Sequence, residues 1–531
     1  MTPEFPHSSS HLRPALTRRS LLGGGVALGL GVLLTACTSP ESTIEALATG
    51  DPVSGGRLRV GLAGGGASDT LDAHVPVGTL DIARVVNLYE PLFYWDDVYK
   101  LQPRLATKAM PNESATLWTV TLRDGVLFHN GRPLTAADVV ATFERITDPD
   151  DPKAGAAGLA ELDHVEVIDN LTVAFHLSTP LATFDDSLAQ YMNGIVPADY
   201  DPASPIGTGP FKVDSFTAGR RSVFMRNDDY WQGGEPYLDE LEILNFNDED
   251  ALINALLSTQ VDAVGQVPLS LLEVIGADPR IAVLNSETGT WLPFTMRVDK
   301  APFDDERVRQ AFRLAVDRPQ MVEQVLSGNG TVGNDLYAPF DPGYNTSLPQ
   351  RKQDVTEAKR LLADAGYPDG IDVELVTAPI QAGVVEAAQV FAQQATAAGI
   401  RVKIRKVDVT TFFGDSYLEW PFAQDFWYTR NFISQSGQGS LPNSPFNETH
   451  WDDPEFQSLI EQAKETVDAD KRNALVAEAQ KIEYEKGGYI VWGFANQADA
   501  YQKYVAGLVE NRTGLPLSGF EFRRVWMAVE K

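Results

Sequence analysis

The stretch 291–318, WLPFTMRVDKAPFDDERVRQAFRLAVDR, divides the chain into two blocks and therefore limits what the chain can fold into. It opens with a strand-like run over 291–298 and continues through Pro302 into a predicted helix. That helix begins at an acidic segment, 304–306, since acidic side chains favour a helix N-terminus. Apolar residues at helical spacing predict one buried face, made of Val308, Ala311, Phe312, Ala315 and Val316. The blocks before and after it hold about 240 and about 200 residues, too many for one hydrophobic core, so at least two domains are expected.

The first 37 residues have the pattern of an export signal and are left out of the predicted fold. Arg18 and Arg19 precede an apolar run, Leu21–Ala36, which is too short and too interrupted by glycine to span a membrane well. The segment TRRSLL resembles a twin-arginine signal. Leu22 and Gly23 depart from the usual pattern of that signal, so the general secretion route stays open.

The apolar run ends in Leu-Thr-Ala-Cys, and its Cys37 is the only cysteine of the chain. This ending resembles the lipobox of bacterial lipoproteins, which implies that Cys37 is acylated and becomes the mature N-terminus. The alternative is a buried or chance cysteine. A polar, turn-rich segment over residues 38–56 follows and is predicted to be a flexible tether. A single cysteine also excludes an intrachain disulfide and a multi-thiolate metal site.

Charge and motif spacing exclude several classes of function. The chain carries 43 Lys and Arg against 73 Asp and Glu, a net charge of −30, which argues against a nucleic-acid partner because phosphates require a basic surface. The glycine-rich loop 61–69 matches neither the dinucleotide fingerprint nor the P-loop. The histidines show no metal-binding spacing and no G-x-S-x-G elbow is present, so we expect no metal, no cofactor and no nucleophilic serine.

Three segments resemble one known family. They are PFDDERVRQAF followed by AVDR at 302–318, LRDGVLFHNGRPLTAADVVATFERI at 122–146, and GTGPF with NDDYW at 207–211 and 227–231. All three are similar to segments of the extracellular solute-binding proteins of the dipeptide/oligopeptide type, family 5 of the transporter-linked binding proteins. The resemblance implies an α/β, periplasmic-binding-protein-like fold of two lobes with a hinge, of type II and cluster C-like, with an extra subdomain in the first lobe.

The resemblance also implies how the chain is divided. Lobe I takes residues 57–78, 205–290 and 500–531, the subdomain takes 79–204, and lobe II takes 291–499. Gly207 and Gly209 are expected to supply backbone conformations that a tight connection needs. In the second lobe, helices capped by Asp354 and Asp470 alternate with strands. That alternation predicts a largely parallel sheet with ligands at the carboxyl ends of its strands.

The function implied by the resemblance is that of a lipid-anchored receptor. It would capture a peptide or peptide-like small solute between its lobes and deliver it to the permease and ATPase subunits of an ABC importer. We expect a monomer without enzymatic activity, held on the outer face of the cell membrane or in the periplasm. The alternative is a secreted hydrolase that uses a carboxylate pair in the cleft, because acidic residues are plentiful in the chain.

Candidate ligand-binding residues come from three segments. The aromatic run 420–432, WPFAQDFWYTRNF, is the strongest candidate, and within it Phe422 and Phe426 are predicted to be core. In peptide-binding relatives this segment commonly reads W-x-x-D, and its carboxylate pairs with the ammonium group of the peptide. Here Arg430 stands at that position, which favours an anionic ligand group or a peptide held without its amine nearby. A competing interpretation has Arg430 neutralised by Asp425 and pointing out of the cleft. The complete predicted set is Ser68, Asp69, Trp291, Trp420, Trp427, Tyr428, Arg430 and Asn431.

Overall fold

The computed structural model describes residues 50–528. The strands are β1 Arg57–Ala63, β2 Phe93–Trp95, β3 Leu101–Pro103, β4 Ala106–Pro111, β5 Leu117–Leu122, β6 Leu162–Asp169, β7 Thr172–Leu177, β8 Phe211–Thr217, β9 Arg221–Arg226, β10 Glu240–Phe246, β11 Ala263–Val264, β12 Ile281–Trp291, β13 Phe294–Met296, β14 Gly330–Val332, β15 Ile371–Thr377, β16 Ile400–Lys406, β17 Phe422–Gln424, β18 Tyr489–Ile490, β19 Gly493–Gln502, β20 Val505–Ala506 and β21 Trp526–Met527.

Thirteen α-helices lie between these strands within the described residues. They are α1 Thr79–Leu88, α2 Ala136–Ile146, α3 Phe184–Ser187, α4 Glu249–Leu257, α5 Leu272–Gly276, α6 Glu306–Leu314, α7 Arg318–Leu326, α8 Val355–Asp364, α9 Val384–Thr396, α10 Val409–Phe412, α11 Phe432–Gly439, α12 Pro454–Glu465 and α13 Ala469–Lys486. A further short turn, Pro516–Gly519, has left-handed backbone at Leu517 and Ser518. In the part of the chain that is described, no helix combines the length and the apolar character needed to cross a membrane.

The first lobe is built on an eight-stranded mixed sheet in the order β12-β19-β11-β1-β10-β9-β8, with β14 pairing β19. Strand β1 lies in its middle, parallel to both β10 and β11. Leu58, Val60 and Leu62 alternate along β1 and are fully buried. Helix α1 packs its apolar residues into the same core, so it belongs with this sheet although the predicted boundary placed it in the subdomain. The C-terminal segment returns to this core as well.

The subdomain is a four-stranded antiparallel sheet in the order β4-β5-β7-β6, with helix α2 packed against it. The helix begins after Thr135, where Asp138 accepts a hydrogen bond from the backbone N–H of Thr135 at 2.9 Å. Val139 and Phe143 are buried, and Val140 is half-buried. His129 accepts from the backbone of Gly207 and bonds the carbonyl of Gly209, which is a structural role.

The second lobe contains an antiparallel sheet, β17-β13-β18, and a parallel pair, β15 and β16. The predicted largely parallel sheet is therefore wrong, because β13 takes both neighbours from distant chain segments that run against it. The buried face predicted for this helix is confirmed for Val308, Ala311 and Phe312 of α6. Ala315 and Val316 are buried too, but they follow the end of the helix at Leu314. Asp354 caps α8 as expected, but α13 is capped by Asp468 rather than by Asp470.

The two lobes are joined by two strands that pair with each other. Strand β12 runs antiparallel to β19, from Ile281 opposite Gln502 to Trp291 opposite Phe494. The strand predicted over 291–298 is interrupted, since β12 ends at Trp291 and β13 begins at Phe294. Two paired crossings restrict how the lobes can move relative to each other, and this is the arrangement that a hinge requires.

Candidate functional site

A cavity of about 470 Å³ lies where the two lobes and the subdomain meet. Its walls come from one side of α1, the segment 89–104, the segment 189–192, the loop 428–430 and the C-terminal segment 511–523. A cavity of this size and position, between domains, is typical of small-molecule binding sites. Tyrosine and tryptophan rings make up much of the lining, namely Tyr89, Tyr94, Trp95, Tyr99, Tyr191 and Tyr428.

The loop 428–430 enters the cavity from the second lobe and is held by its central residue. Thr429 donates its hydroxyl to the carbonyl of Arg512 at 2.8 Å and accepts the N–H of Gly289 at 2.8 Å. Its own carbonyl accepts the hydroxyl of Tyr99, in the subdomain, at 3.2 Å. Thr429 is buried, and its bonds leave Tyr428, which is 46% exposed, and Arg430 free to face the cavity.

Arg430 is the distinctive charge of this cavity. Its guanidinium carbon lies 5.4 Å from the ring centroid of Trp427. Among residues 50–528, no carboxylate forms an ion pair with it. The neighbouring titratable groups that influence its pKa are the phenols of Tyr99, Tyr191 and Tyr428. Burial lowers the pKa of Arg430 from its usual value, yet a guanidinium stays protonated at neutral pH. The cavity therefore presents an unneutralised cation to whatever enters it.

Asp425 does not neutralise Arg430. Its carboxylate accepts the hydroxyl of Tyr417 at 3.0 Å and the backbone N–H of Phe426 at 2.7 Å, deep in the second lobe. Burial, together with the neighbouring Asp425, raises the pKa of Glu448 well above its usual value. The Asp425–Glu448 pair thus lies in the interior of the second lobe and is not part of the cavity lining.

Trp291 and Trp427 lie behind the cavity rather than in its lining. Both are buried, at 1% and 7% exposure, and their rings stack with centroids 6.2 Å apart. Tyr337 also stacks on Trp291, with ring centroids 5.2 Å apart. These rings form a rigid backing from which Tyr428 and Arg430 project. Phe422 is buried as predicted, and Phe426 is half-buried.

The remaining predicted residues are placed elsewhere. Trp420 packs against Phe412 and donates its indole N–H to the carbonyl of Phe412 at 3.2 Å, away from the cavity. Ser68 is exposed outside the lining, and Asp69 forms an ion pair with Arg84 at 3.0 Å. Asn431 also lies outside the lining, and its amide reaches into the subdomain. The structure thus brings Tyr428 and Arg430 to the cavity and leaves Ser68, Asp69, Trp291, Trp420, Trp427 and Asn431 outside it.

The opposite wall contains a charged network that the sequence did not reveal. The Arg104 guanidinium lies over the ring of Tyr94, 4.1 Å from its centroid, and forms an ion pair with Glu521. Although burial raises the pKa of Glu521, the guanidinium groups of Arg104, Arg523 and Arg524 lower it to about 2. Glu521 therefore stays ionised, and each of the three guanidinium groups is paired with a carboxylate, unlike Arg430. Arg104 and Glu521 are 417 residues apart, so no local motif could have paired them.

Glu90 completes this wall. Its carboxylate accepts hydrogen bonds from the hydroxyl of Tyr230, the indole of Trp231 and the hydroxyl of Thr208, at 2.7 to 2.9 Å. Burial raises the pKa of Glu90, while Arg104 at 3.8 Å opposes that rise. Three donors on one carboxylate fix its position, so Glu90 is structural. Across residues 50–528, no three His, Cys, Asp or Glu side chains are grouped to hold a metal ion.

Comparison with known proteins identifies the family. The family model for bacterial extracellular solute-binding proteins, family 5 (middle part), matches residues 100–432. The glutathione-binding protein GsiB of Escherichia coli K12 is 25% identical over 479 residues, covering 85% of this chain and 91% of GsiB. The structure of AgaA in complex with agropinic acid, from A. tumefaciens R10, superposes with a TM-score of 0.74 at 27% identity, covering 90% of this chain and 99% of AgaA.

A peptide complex shares the fold. DppA of Helicobacter pylori, in complex with the peptide STSA, superposes with a TM-score of 0.73 at 23% identity, covering 90% of this chain and 99% of DppA. The two-lobe type II fold expected from the sequence is thereby confirmed. Relatives of this kind are extracellular or periplasmic solute-binding proteins for ABC importers of peptides or related solutes, not enzymes, and the hydrolase alternative has no support. This chain belongs to the bacterial extracellular solute-binding proteins of family 5.

Proposed function

We propose that this protein is a lipid-anchored receptor that captures a small, carboxylate-bearing, peptide-like solute and delivers it to an ABC importer. The observation that carries the proposal is the unpaired guanidinium of Arg430 in the cavity between the lobes. A ligand carboxylate can take two parallel hydrogen bonds from such a planar group, and the surrounding aromatic rings exclude water from the contact. A ligand ammonium group at the same place would be repelled.

Charge balance supports this ligand class over an ordinary peptide held by its amine. The cations and anions of the Arg104 wall neutralise one another, so that wall adds no strong preference for either sign. Arg430 therefore sets the sign of the ligand group at its end of the cavity. The cavity volume, about 470 Å³, suits a solute of drug-like or tripeptide size rather than a long peptide.

Two relatives agree with a carboxylate-bearing solute. GsiB is named for glutathione, a peptide-like molecule with two carboxyl groups, and AgaA was solved with agropinic acid. Both differ in sequence from this chain at about three positions in four, so they suggest a chemical class and not a particular solute. Tyr428 and Arg430 are the residues that we propose contact the ligand. Asn431 is proposed to act only through its position next to Arg430.

Anchoring and delivery rest on the sequence. Cys37 and the export signal lie outside the described residues, and the lipobox resemblance carries the proposal that the mature protein is acylated there. Two acyl chains on one cysteine would hold it stably at the outer face of the membrane. A monomer on a tether over residues 38–56 can then present its closed lobes to permease and ATPase subunits. Closure around the ligand by hinge motion would create the surface that they recognise.

A thermal-shift panel tests the ligand class. The full-length protein is heated with glutathione, with agropinic acid, and with glutathione whose two carboxyl groups are amidated. A ligand that binds the native state stabilises it by about 2.7 kcal/mol at one hundred times its dissociation constant. We expect at least one carboxylate form to raise the melting temperature and the amidated form to have no effect. Stabilisation by the amidated form alone would contradict the proposal.

A further inference from the structure

Asn431, the residue after Arg430, bonds directly to the subdomain beside the cavity. Its side-chain nitrogen Nδ2 donates to Oδ2 of Asp186, in α3, at 2.9 Å. Residues 189–192, which begin just after α3, line the same cavity as Arg430. The bond therefore connects the loop that carries Arg430 to the subdomain wall formed by residues 189–192. It must break when the lobes separate.

The Asn431 side chain does not cap the helix that follows it. Asn431 occupies the N-cap position of α11 but accepts no backbone N–H there, although an N-cap asparagine ordinarily does. Asp341 accepts the N–H of Phe432, the first residue of α11, at 2.7 Å. The second polar atom of the Asn431 side chain, Oδ1, is buried and lacks a hydrogen-bond partner among the described residues. An acceptor oxygen is thus held without a donor beside a carboxyl group.

The surroundings of Asp186 disfavour its ionised form. The titratable and charged groups that face it are Asp185 on its own helix, Asp341 from the loop between β14 and α8, Arg472 on α13 and Tyr99. The two carboxyl groups repel a charge on Asp186, and Arg472 is engaged with the carbonyls of Thr466 and Val467. Burial first, and then Asp185, raise the pKa of Asp186 well above its usual value.

We propose that Asp186 is a positioning residue for Arg430, acting as a neutral carboxylic acid that pairs with the Asn431 amide through two hydrogen bonds. The amide donates from Nδ2 to the carboxyl oxygen Oδ2, as observed. The acid proton, on the other carboxyl oxygen, is donated to the Asn431 Oδ1 that otherwise lacks a donor. Both polar atoms of Asn431 are then satisfied, which a buried amide requires. This inference rests on the proposed contact between Arg430 and the ligand.

A neutral Asp186 also leaves the charge of Arg430 for the ligand. An ionised carboxylate so close to the loop would compete with a ligand carboxylate for the same guanidinium. Because Asp341 and Arg472 of the second lobe face Asp186, separation of the lobes would expose its carboxyl group. The protein with its lobes in contact therefore binds this proton more tightly than it does with the lobes apart. Closure is therefore fully supported below the usual aspartate pKa and weakens as the pH rises through the raised value. The proton passes to solvent when the lobes part.

Nuclear magnetic resonance of the full chain in mild detergent, without added ligand, tests the proposal. Aspartate is labelled at Cγ and arginine at Nε, and both sets of signals are followed against pH. Asp186→Asn assigns the Asp186 carboxyl and mimics its neutral state, Arg430→Lys assigns the Arg430 signal, and Asp185→Asn is the matched control on the same helix. We expect the signal lost in Asp186→Asn to titrate well above about pH 3.9, the ordinary aspartate value.

The Arg430 signal decides whether Asp186 acts on it. We expect that signal to shift with the midpoint of Asp186 in the wild type, to shift with a lower midpoint in Asp185→Asn, and to stay constant in Asp186→Asn. Titration of Asp186 near pH 3.9, or an Arg430 signal that ignores it, would overturn the inference. If Asp186→Asn fails to fold, the Asp186 carboxyl is identified instead as the aspartate signal whose midpoint falls in Asp185→Asn. Because no ligand is present, failure of this experiment would not contradict the proposed ligand class. Likewise, the discovery that the ligand is neutral would not change the titration result.

Discussion

Trp291 and Trp427 exchange both backbone hydrogen bonds of a β-bridge, at 2.9 and 3.0 Å, while their rings stack. Trp291 is the last residue of β12, one of the two strands that join the lobes. Trp427 lies one residue before the loop 428–430. The bridge therefore fixes the recognition loop to the end of a crossing strand. Movement of the second lobe on its hinge must carry Arg430 with it, which couples ligand contact to closure.

Gly207 provides a test of the joint between the first lobe and the subdomain. Neither Gly207 nor Gly209 has a positive φ, so the expected need for an unusual conformation is wrong for both residues. Glycine is required at position 207 because there is no room for a side chain: a Cβ there would overlap the carbonyl oxygen of Leu88. We expect Gly207→Ala to lower the free energy of unfolding by about 1–3 kcal/mol, the usual cost of overpacking. Urea unfolding measures this.

Gly233→Ala is the matched control for that substitution. A Cβ at Gly233 meets no atom within 4 Å, and its backbone also lies outside the left-handed region. Its unfolding curve should match that of the wild type to within a few tenths of a kcal/mol. If the two alanine variants unfold alike, close packing of Gly207 against Leu88 does not hold the joint together.

Glu483 should give the second lobe a pH-dependent stability. It is buried, accepts the hydroxyl of Ser440 at 3.2 Å, and burial raises its pKa to about 8. The folded state therefore holds a proton that the unfolded state releases above about pH 4.3, so stability is lost as the pH rises from there towards about 8. Glu483→Gln keeps the acceptor and cannot ionise. We expect it to remove up to about 1.4 kcal/mol per pH unit from the slope of unfolding free energy against pH.

Urea unfolding at several pH values between about 5 and 8 measures that slope. Glu478→Gln, an exposed position on the same helix α13, serves as the control and should keep the wild-type slope. An unchanged slope in Glu483→Gln would mean that Glu483 is already ionised in the folded protein.

Local patterns predicted the elements whose cause is local. The buried face of α6 follows from residue spacing, and the start of α2 from a capping residue within three positions. Of the aromatic run 420–432, only residues 428–430 line the cavity, and spacing could not tell which of its residues would do so. The sequence suggests that Trp427 and Trp291 bind ligand. Their mutual backbone hydrogen bonds show that they instead support the loop that lines the cavity.

The charged wall could not be predicted for a different reason. Arg104 and Glu521 meet only because the C-terminal segment folds back onto the first lobe. Each looks like an ordinary surface charge in its own segment. The parallel sheet expected in the second lobe failed similarly, since alternation of helices and strands does not reveal that β13 pairs with strands from distant segments. Contacts between distant segments decide both features.

Cys37 should determine where the protein resides. We expect the wild type to partition into the detergent phase, because two acyl chains anchor a protein stably in a membrane. Cys37→Ala cannot be acylated at this position, so we expect it to be released or misprocessed. Immunoblots of the detergent and aqueous phases measure this. Cys37→Ser would serve as a conservative control for size and should behave as the alanine variant does. Retention of both variants in the detergent phase would show that the lipobox is not the anchor.

The central claim is that Arg430 binds an anionic group of the ligand, and the solute retained through purification tests it most directly. Mass spectrometry identifies and quantifies what the wild type, Arg430→Ala and Arg512→Ala release on denaturation. Arg512 is a nearby cation outside the cavity lining, so it is the matched control. We predict a carboxylate-bearing solute in the wild type and in Arg512→Ala. Arg430→Ala should lose it, because removing a charged partner costs about 2–5 kcal/mol, or about thirty-fold to several-thousand-fold in affinity. Equal retention by Arg430→Ala, or a retained solute without an anionic group, would contradict the account.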